Sequence, residues 1–305
     1  MVTATTHPIY IIGHGYMGHK LLQVLLDQSL ASAEQITTVA RSLPESQIPN
    51  QHLVWDLDRT EPVKQSIPEP GAIIYYFVPP PPKGRRDTRA QTFIAQLEQN
   101  TRAETRPAKI VLISTTGVYG NCYGQWVDET APLNPSVDRA RRRADAEQQF
   151  QHYAQNHNIP LVILRVSGIY AADKLPLKRI QAQTPVVREE DSPYSNRIHA
   201  DDLLNICIIA GLNPDIEGIY NCSDGHPTTM YDYFMRVARA SHLPEPPAIS
   251  LEQARSKLSS GMLSYMNESR RIDNHKLLKD FKLTLKYPDL EQGLNTDRHF
   301  LQPEL

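Results

Sequence analysis

The sequence predicts an α/β fold built on a doubly wound parallel sheet, and three observations carry that prediction. Short apolar runs alternate with longer amphipathic segments through the first 170 or so residues, the pattern of stacked βαβ units. The runs are apolar nearly throughout, as strands covered on both faces must be. The first run feeds a glycine loop that opens directly into a helical pattern.

Taken in order, strands are expected at "PIYIIG", "QITTVA", "HLVWDL", "AIIYYFV", "KIVLIST" and "LVILRV". Each is rich in Ile, Val, Leu or Tyr, which suit a pleated, covered surface. Between them, helices are expected in "MGHKLLQVLLDQSL", "RAQTFIAQLEQNTR" and "DRARRRADAEQQFQHYAQNH". The first places Leu21, Leu22, Leu25 and Leu26 on one face. After residue 170 the pattern loosens: "AADKLPLKRIQAQTPVVREEDSPYSN" is polar, carries three prolines and reads as mostly connection. "RIHADDLLNICIIAGL" reads as a helix with Asp201 or Asp202 near its start and Gly211 near its end. "GIYNCSD" reads as a further strand and "MYDYFMRVARASHL" as a further helix.

The bulk numbers exclude several classes. At 305 residues, 40% hydrophobic and 22% charged, the chain has the make-up of a soluble globular protein. A formal net charge of -2 provides no global field for nucleic acid or an anionic membrane. No apolar run reaches the length of a membrane span, and "MVTATTHPIYIIG" lacks the charged and apolar regions of a signal peptide. Cys122, Cys207 and Cys222 lie far apart with no pair at metal spacing. The expectation is a cytoplasmic, metal-free protein acting on a small molecule, with neither nucleic acid nor membrane as partner.

Gly13-His14-Gly15-Tyr16-Met17-Gly18 fits G-x-G-x-x-G between an apolar strand ending at Ile12 and a helical pattern beginning at Met17. That is the order of a Rossmann-type dinucleotide fingerprint. Gly13 allows the turn, Gly15 lets backbone approach a pyrophosphate, and Gly18 lets helix and strand pack closely. The helix N-terminus offers free N–H groups to the phosphates. His14 and Tyr16 are expected beside the cofactor, with a metal role for His14 and His19 as the lesser alternative. The second strand ends in Ala40, Arg41 and Ser42, where an acid would accept the ribose hydroxyls of NAD. A guanidinium there suits a 2′-phosphate, so NAD(P) is the expected cofactor, with NADP favoured. A solvated Arg41 is the bland alternative.

Five further stretches follow in order: "STTGVYG" (114–120), "DETAPLNP" (128–135), "ILRVSGIY" (163–170), "RIHADDL" (197–203) and "GIYNCSD" (218–224). With the glycine loop, this series resembles the extended short-chain dehydrogenase/reductase superfamily, in particular its NAD-dependent epimerase/dehydratase group. Ile12 stands where that group has its first loop glycine, so the loop resembles the atypical branch. The resemblance implies a Rossmann-type domain over 1–169, to which 198–224 returns, and a smaller, mostly substrate-binding C-terminal part over 170–305. It implies that Asp56 and Leu57 lie by the adenine and that Val78, Pro79 and Pro80 run beside the ribose and phosphates, although a stiff polyproline connection reads the same way. Ser114 joins the implied cofactor contacts, and the resemblance allows a homodimer.

The family's chemistry uses a tyrosine and a lysine four residues apart on the helix after "STTGVYG", with a Ser or Thr (here Thr115) bonding the reacting oxygen. Counting back from Glu147 of "ADAE" puts Arg143 at the lysine position and Arg139 at the tyrosine position. An arginine cannot exchange a proton at neutral pH. The pairs Tyr16 with Lys20 and Tyr170 with Lys174 have the right spacing but stand off that helix. Arg143 retains the charge to hold the ribose, Arg139 suits an anionic substrate group, and a solvated basic helix face is the alternative for both. Tyr119 and Tyr123 are the candidate replacement acids, although the family's "VYG" tyrosine is more often a packing residue. His199 reads as a hydrogen-bonded fastener. Arg270 and Arg271 resemble a late basic stretch that meets substrate phosphate, with a solvated helix start as the alternative. Two functions stay open: an oxidoreductase or epimerase-like enzyme on a nucleotide sugar or small anionic carbonyl or alcohol, and a non-catalytic NADP(H)-binding sensor or regulatory protein.

Overall fold

The computed structural model describes residues 3–43, 49–59 and 68–296. Seven strands form one sheet: β1 (Ile9–Ile12), β2 (Ile36–Ala40), β3 (Gln51–Val54), β4 (Ile73–Tyr76), β5 (Lys109–Thr115), β6 (Leu161–Val166) and β7 (Gly218–Cys222). Their order is β7-β6-β5-β4-β1-β2-β3, and the pairs β1–β2, β1–β4, β2–β3 and β4–β5 are parallel. This is the doubly wound Rossmann-type arrangement, in which β1 has its neighbours on opposite chain excursions and a crevice opens at its C-terminal end. The central strands are buried along their length, whereas β3, at the edge, is half-exposed.

The helices are α1 (Tyr16–Asp27), α2 (Thr88–Asn100), α3 (Asp138–His157), α4 (Leu177–Gln181), α5 (Ala200–Leu212) and α6 (Met230–Ala240). Four short ones follow: α7 (Leu251–Lys257), α8 (Ser260–Met266), α9 (His275–Phe281) and α10 (Leu290–Thr296). Among the described residues, no helix is long and apolar enough to cross a membrane.

The chain divides into two compact units. The first comprises Met1–Val118, Asp138–Arg165 and Leu204–Tyr220; the second comprises Tyr119–Val137, Val166–Leu203 and Asn221–Leu305. In the first, Tyr76, Phe93 and Phe150 bring β4, α2 and α3 together, with ring centroids 4.9 to 6.3 Å apart, a separation at which offset aromatic pairs attract. α3 is also fixed by charge. Glu147, fully buried, receives the Ser114 hydroxyl from β5 and an ion pair from Arg165 of β6 at 2.8 Å.

The helix expected in "RIHADDLLNICIIAGL" is α5, with Asp201 and Asp202 in its first turn and Gly211 one residue before its end. Gly211 lies inside α5, where an added Cβ would fall 2.0 Å from the Tyr75 hydroxyl oxygen; close packing on β4, not helix termination, requires glycine there. Asp202 accepts the backbone N–H groups of Lys286 and Tyr287 at 2.8 and 2.9 Å, so its carboxylate fastens a later loop of the second unit. The stretch read as connection after residue 170 contains α4 and short strands at Val186–Val187 and Tyr194–Ser195. The core of the second unit joins Tyr170, Tyr233, Phe234, Leu290 and Leu294.

Candidate functional site

The crevice at the end of β1 forms a cavity of about 310 Å³, lined by residues 12–15, 39–42, 77–79, Trp55, Leu57 and Arg89. Main-chain bonds fix its walls. The Gly13 N–H donates to the Val39 carbonyl at 2.8 Å, and the Phe77 N–H donates to the Ile12 carbonyl at 2.8 Å. Gly13 has φ +101°, and an added Cβ would stand 2.9 Å from the backbone of Phe77 and Val78. Gly15 differs: nothing lies within 4 Å of where its Cβ would be, so the backbone at the α1 N-cap is open to an incoming group. At Gly18 a Cβ would fall 2.5 Å from the Gly13 carbonyl oxygen, which ties helix to loop. A backbone cradle ending at a helix N-terminus suits a phosphate chain.

Of the residues singled out in the sequence, the structure brings Gly13, His14, Gly15, Arg41, Ser42, Leu57, Val78 and Pro79 to one cavity. It does not bring Tyr16, Met17, Gly18, Asp56, Pro80 or Ser114 into that lining. Met17 and Gly18 are buried in the packing of α1, and Tyr16 lies in the first turn of α1 with the Lys20 ammonium 5.5 Å from its ring centre. Asp56 pairs with Arg59 at 3.5 Å. Ser114 is 3% exposed with its hydroxyl given to Glu147, which leaves it a strand-to-helix tie.

Arg89 was not anticipated. It lines the cavity, donates to the Pro79 and Pro80 carbonyls, and grips Asp58 through two bonds of 2.7 and 2.6 Å. That hydrogen bond holds the Asp58 carboxyl below its ordinary value. The signal available in the sequence was Asp87 just before an apolar helical pattern; Asp87 does cap α2, accepting the Ala90 N–H at 3.0 Å, and so fixes where Arg89 emerges.

Arg143 on α3 donates from Nη1 to the Val78 carbonyl at 3.0 Å. Burial pulls its guanidinium below the ordinary value, opposed by the nearby Asp87. Arg139 stands one turn earlier and is half-buried. Thr115 ends β5, and its hydroxyl oxygen accepts the Gly117 N–H at 3.2 Å.

In the second unit, Tyr119 is 2% exposed and donates its hydroxyl proton to Asn221 at 2.7 Å. That is a packing placement, not that of an acid open to substrate. Tyr123 is exposed on a turn with φ +53°. His199 is buried, with its ring 3.8 Å from that of Tyr287 and its Nδ1 accepting the Asp201 N–H. Arg270 is tied to the Gly120 carbonyl and to Glu268, while Arg271 lies over the Trp126 and Tyr194 rings.

Comparison with known proteins shows the family and the fold. Residues 9–223 match the model of the NAD dependent epimerase/dehydratase family. Human dTDP-D-glucose 4,6-dehydratase is 35% identical over 77 residues, 25% of this chain and 22% of that protein. The chain spans between 22% and 48% of the length of the curated relatives it matches. Among solved structures, a functionally unknown conserved protein from Silicibacter pomeroyi is similar, with TM-score 0.78 and 27% identity over 96% of this chain and 99% of that one. The dTDP-glucose 4,6-dehydratase of Bacillus anthracis, solved with NAD, gives TM-score 0.73 at 15% identity over 97% and 96% of the two chains, a likeness of fold. With most of its length matched by one family model, from the first strand to the last strand of the sheet, the chain belongs to the NAD dependent epimerase/dehydratase family.

Proposed function

We propose that the chain binds NADP(H) in the cavity at the end of β1, in preference to NAD(H), and acts as an oxidoreductase or epimerase-like enzyme. Its proposed substrate is a nucleotide sugar or another small anionic carbonyl or alcohol. One observation carries the reading: a single cavity gathers the Gly13–Gly15 loop with Arg41 and Ser42 from the end of the neighbouring strand. The residues fit a dinucleotide, since the Gly15 backbone is open where Gly13 is closely packed and a guanidinium stands where NAD-selective sites hold a carboxylate.

When bound, the nicotinamide would accept or deliver a hydride. The chain's own residues would do the rest: the glycine loop would hold the phosphates, Arg41 the 2′-phosphate, and Arg143 the ribose side beside Val78. Thr115 would hydrogen-bond the reacting oxygen, and Arg139 would neutralise an anionic substrate group. A guanidinium is not a proton donor or acceptor at neutral pH, so the proton would move through another group. The dTDP-glucose dehydratases among the similar proteins support a nucleotide-sugar substrate. Residues 170–305 are proposed as mostly the substrate-binding part and a homodimer as the assembly, and the wide spacing of Cys122, Cys207 and Cys222 fits a reducing, cytoplasmic setting.

A second reading, a non-catalytic NADP(H) sensor or regulatory protein, is favoured by one observation: Tyr119 is buried and hydrogen-bonded, while arginines stand at the tyrosine and lysine positions. Turnover of the parent and of the double variant Arg139→Tyr, Arg143→Lys on a panel of nucleotide sugars and carbonyls separates the two. Activity gained or raised in the double variant supports an enzyme whose proton relay has been altered, and general acid–base help is worth roughly a hundred to ten thousand-fold. No turnover by either protein supports the sensor.

A further inference from the structure

We propose that His14 is a protonatable contact to the 2′-phosphate of NADP(H), so that the preference for NADP(H) over NAD(H) strengthens as pH falls. The inference rests on the NADP(H) reading above and adds a second recognition element to Arg41.

His14 lies between the two glycines of the loop and lines the same cavity as Arg41 and Ser42. Its Nδ1 is buried and has no hydrogen-bond partner, an uncommon state for a polar atom away from solvent. Two other imidazoles flank it. His19 of α1 stacks on it with ring centroids 5.6 Å apart, and His52 of β3 is tilted against it at 6.1 Å.

The three rings are not equivalent. His52 is held at both ends, by the Thr38 hydroxyl at 2.8 Å and the Ser42 carbonyl at 3.0 Å. A carbonyl only accepts, so Nε2 of His52 carries a proton and Nδ1 receives the Thr38 hydroxyl in the neutral ring. His52 is thus a strut that positions the Arg41–Ser42 turn, while His14 has bonding capacity to spare. Among the described residues no group of three or more His, Cys, Asp or Glu side chains is arranged to hold a metal ion, so a proton is the simpler occupant.

The charged groups around His14 are its flanking histidines, Arg41 after β2 and Arg89 of α2; Arg89 is neutralised by Asp58. Among the described residues lining the cavity there is no carboxylate. Burial, and then the neighbouring His19 and His52, hold His14 below the ordinary histidine value, which keeps the ring neutral near neutral pH before ligand arrives. A dianionic phosphate reverses that balance by favouring the imidazolium. NADP(H) binding then takes up a proton. The ligand's own titration has the opposite sign: a phosphate monoester loses its second proton near pH 6, and contact with Arg41 favours the dianion, so that group releases protons or does nothing.

The experiment is calorimetric titration of the full chain with NADP⁺ and with NAD⁺ at pH 7.5, in two buffers of different ionisation enthalpy, with dissociation constants also measured at pH 6.5 and 8.0. The expected result is net proton uptake with NADP⁺, none with NAD⁺, and a preference that grows toward low pH by up to about tenfold per pH unit. His14→Gln should abolish the uptake and the pH dependence and retain the part of the preference due to Arg41. His19→Gln should keep the uptake. A parent that prefers NADP⁺ without taking up protons, or uptake that persists in His14→Gln, overturns the role of His14 and leaves the cofactor reading standing. Equal affinities for NADP⁺ and NAD⁺ overturn both.

Discussion

Arg143 donates a hydrogen bond to the Val78 carbonyl across 3.0 Å, joining α3 to the segment that lines the cavity. The guanidinium keeps its charge over the whole working pH range. A group at this position can therefore orient the main chain and a bound polyanion, and it cannot serve as an acid.

Glu147, one turn later on α3, anchors that helix to β5 and β6. Glu147 and Arg165 are both buried and paired at 2.8 Å. Removing one partner strands the other charge in the core. Glu147→Ala is expected to destabilise the fold by about 3–5 kcal/mol, read from the midpoint and slope of a urea titration. A loss below about 1 kcal/mol would show that the pair does not hold α3.

Gly13 and Gly15, two residues apart, should respond in opposite ways to substitution. Gly13→Ala meets a left-handed φ and backbone atoms at 2.9 Å, and should cost at least about 1–3 kcal/mol in stability. Gly15→Val points into open space, with φ -91° at the α1 N-cap. It should stay folded, with little change in melting temperature, and lose dinucleotide binding. A folded Gly15→Val protein that binds with parental affinity would place the site elsewhere.

Asp224 predicts a pH dependence of stability. It is 4% exposed, and burial pushes its carboxyl up to about 7, against the pull of His226 and Arg197 and with a further push from Asp289. Its folded value is thus above the unfolded one, so between about pH 4 and 7 the native state binds more protons than the unfolded chain. Stability should therefore fall as pH rises through that window, by up to about 1.4 kcal/mol per unit. Asp224→Asn should flatten the curve, measured as urea midpoints from pH 4.5 to 8. A parental curve unaffected by the substitution would show that Asp224 is solvated.

The sheet was legible because its strands are covered on both faces: "KIVLIST" and "LVILRV" coincide with β5 and β6 from end to end. The glycine loop was legible because strand, loop and helix are contiguous. Gly211 was legible as lying near a helix end, but its packing against the Tyr75 ring, distant in sequence, was not. The partners of Asp202, more than eighty residues away, were not legible either. The site residues read least well were those whose roles depend on non-local pairing. Arg89 needs Asp58 and the Pro79 carbonyl, and Ser114 is claimed by Glu147. The short helices α7 to α10 carry at most two turns of pattern each, too little for periodicity to register.

The most direct test of the proposed NADP(H) site is the affinity of the purified chain for NADPH and NADH, measured side by side for the parent and Arg41→Ala. The expected result is at least about tenfold tighter binding of NADPH, worth about 1.4 kcal/mol, with most of that preference erased in Arg41→Ala and NADH affinity unchanged. Equal affinities in the parent, or a preference that survives the loss of Arg41, would contradict it.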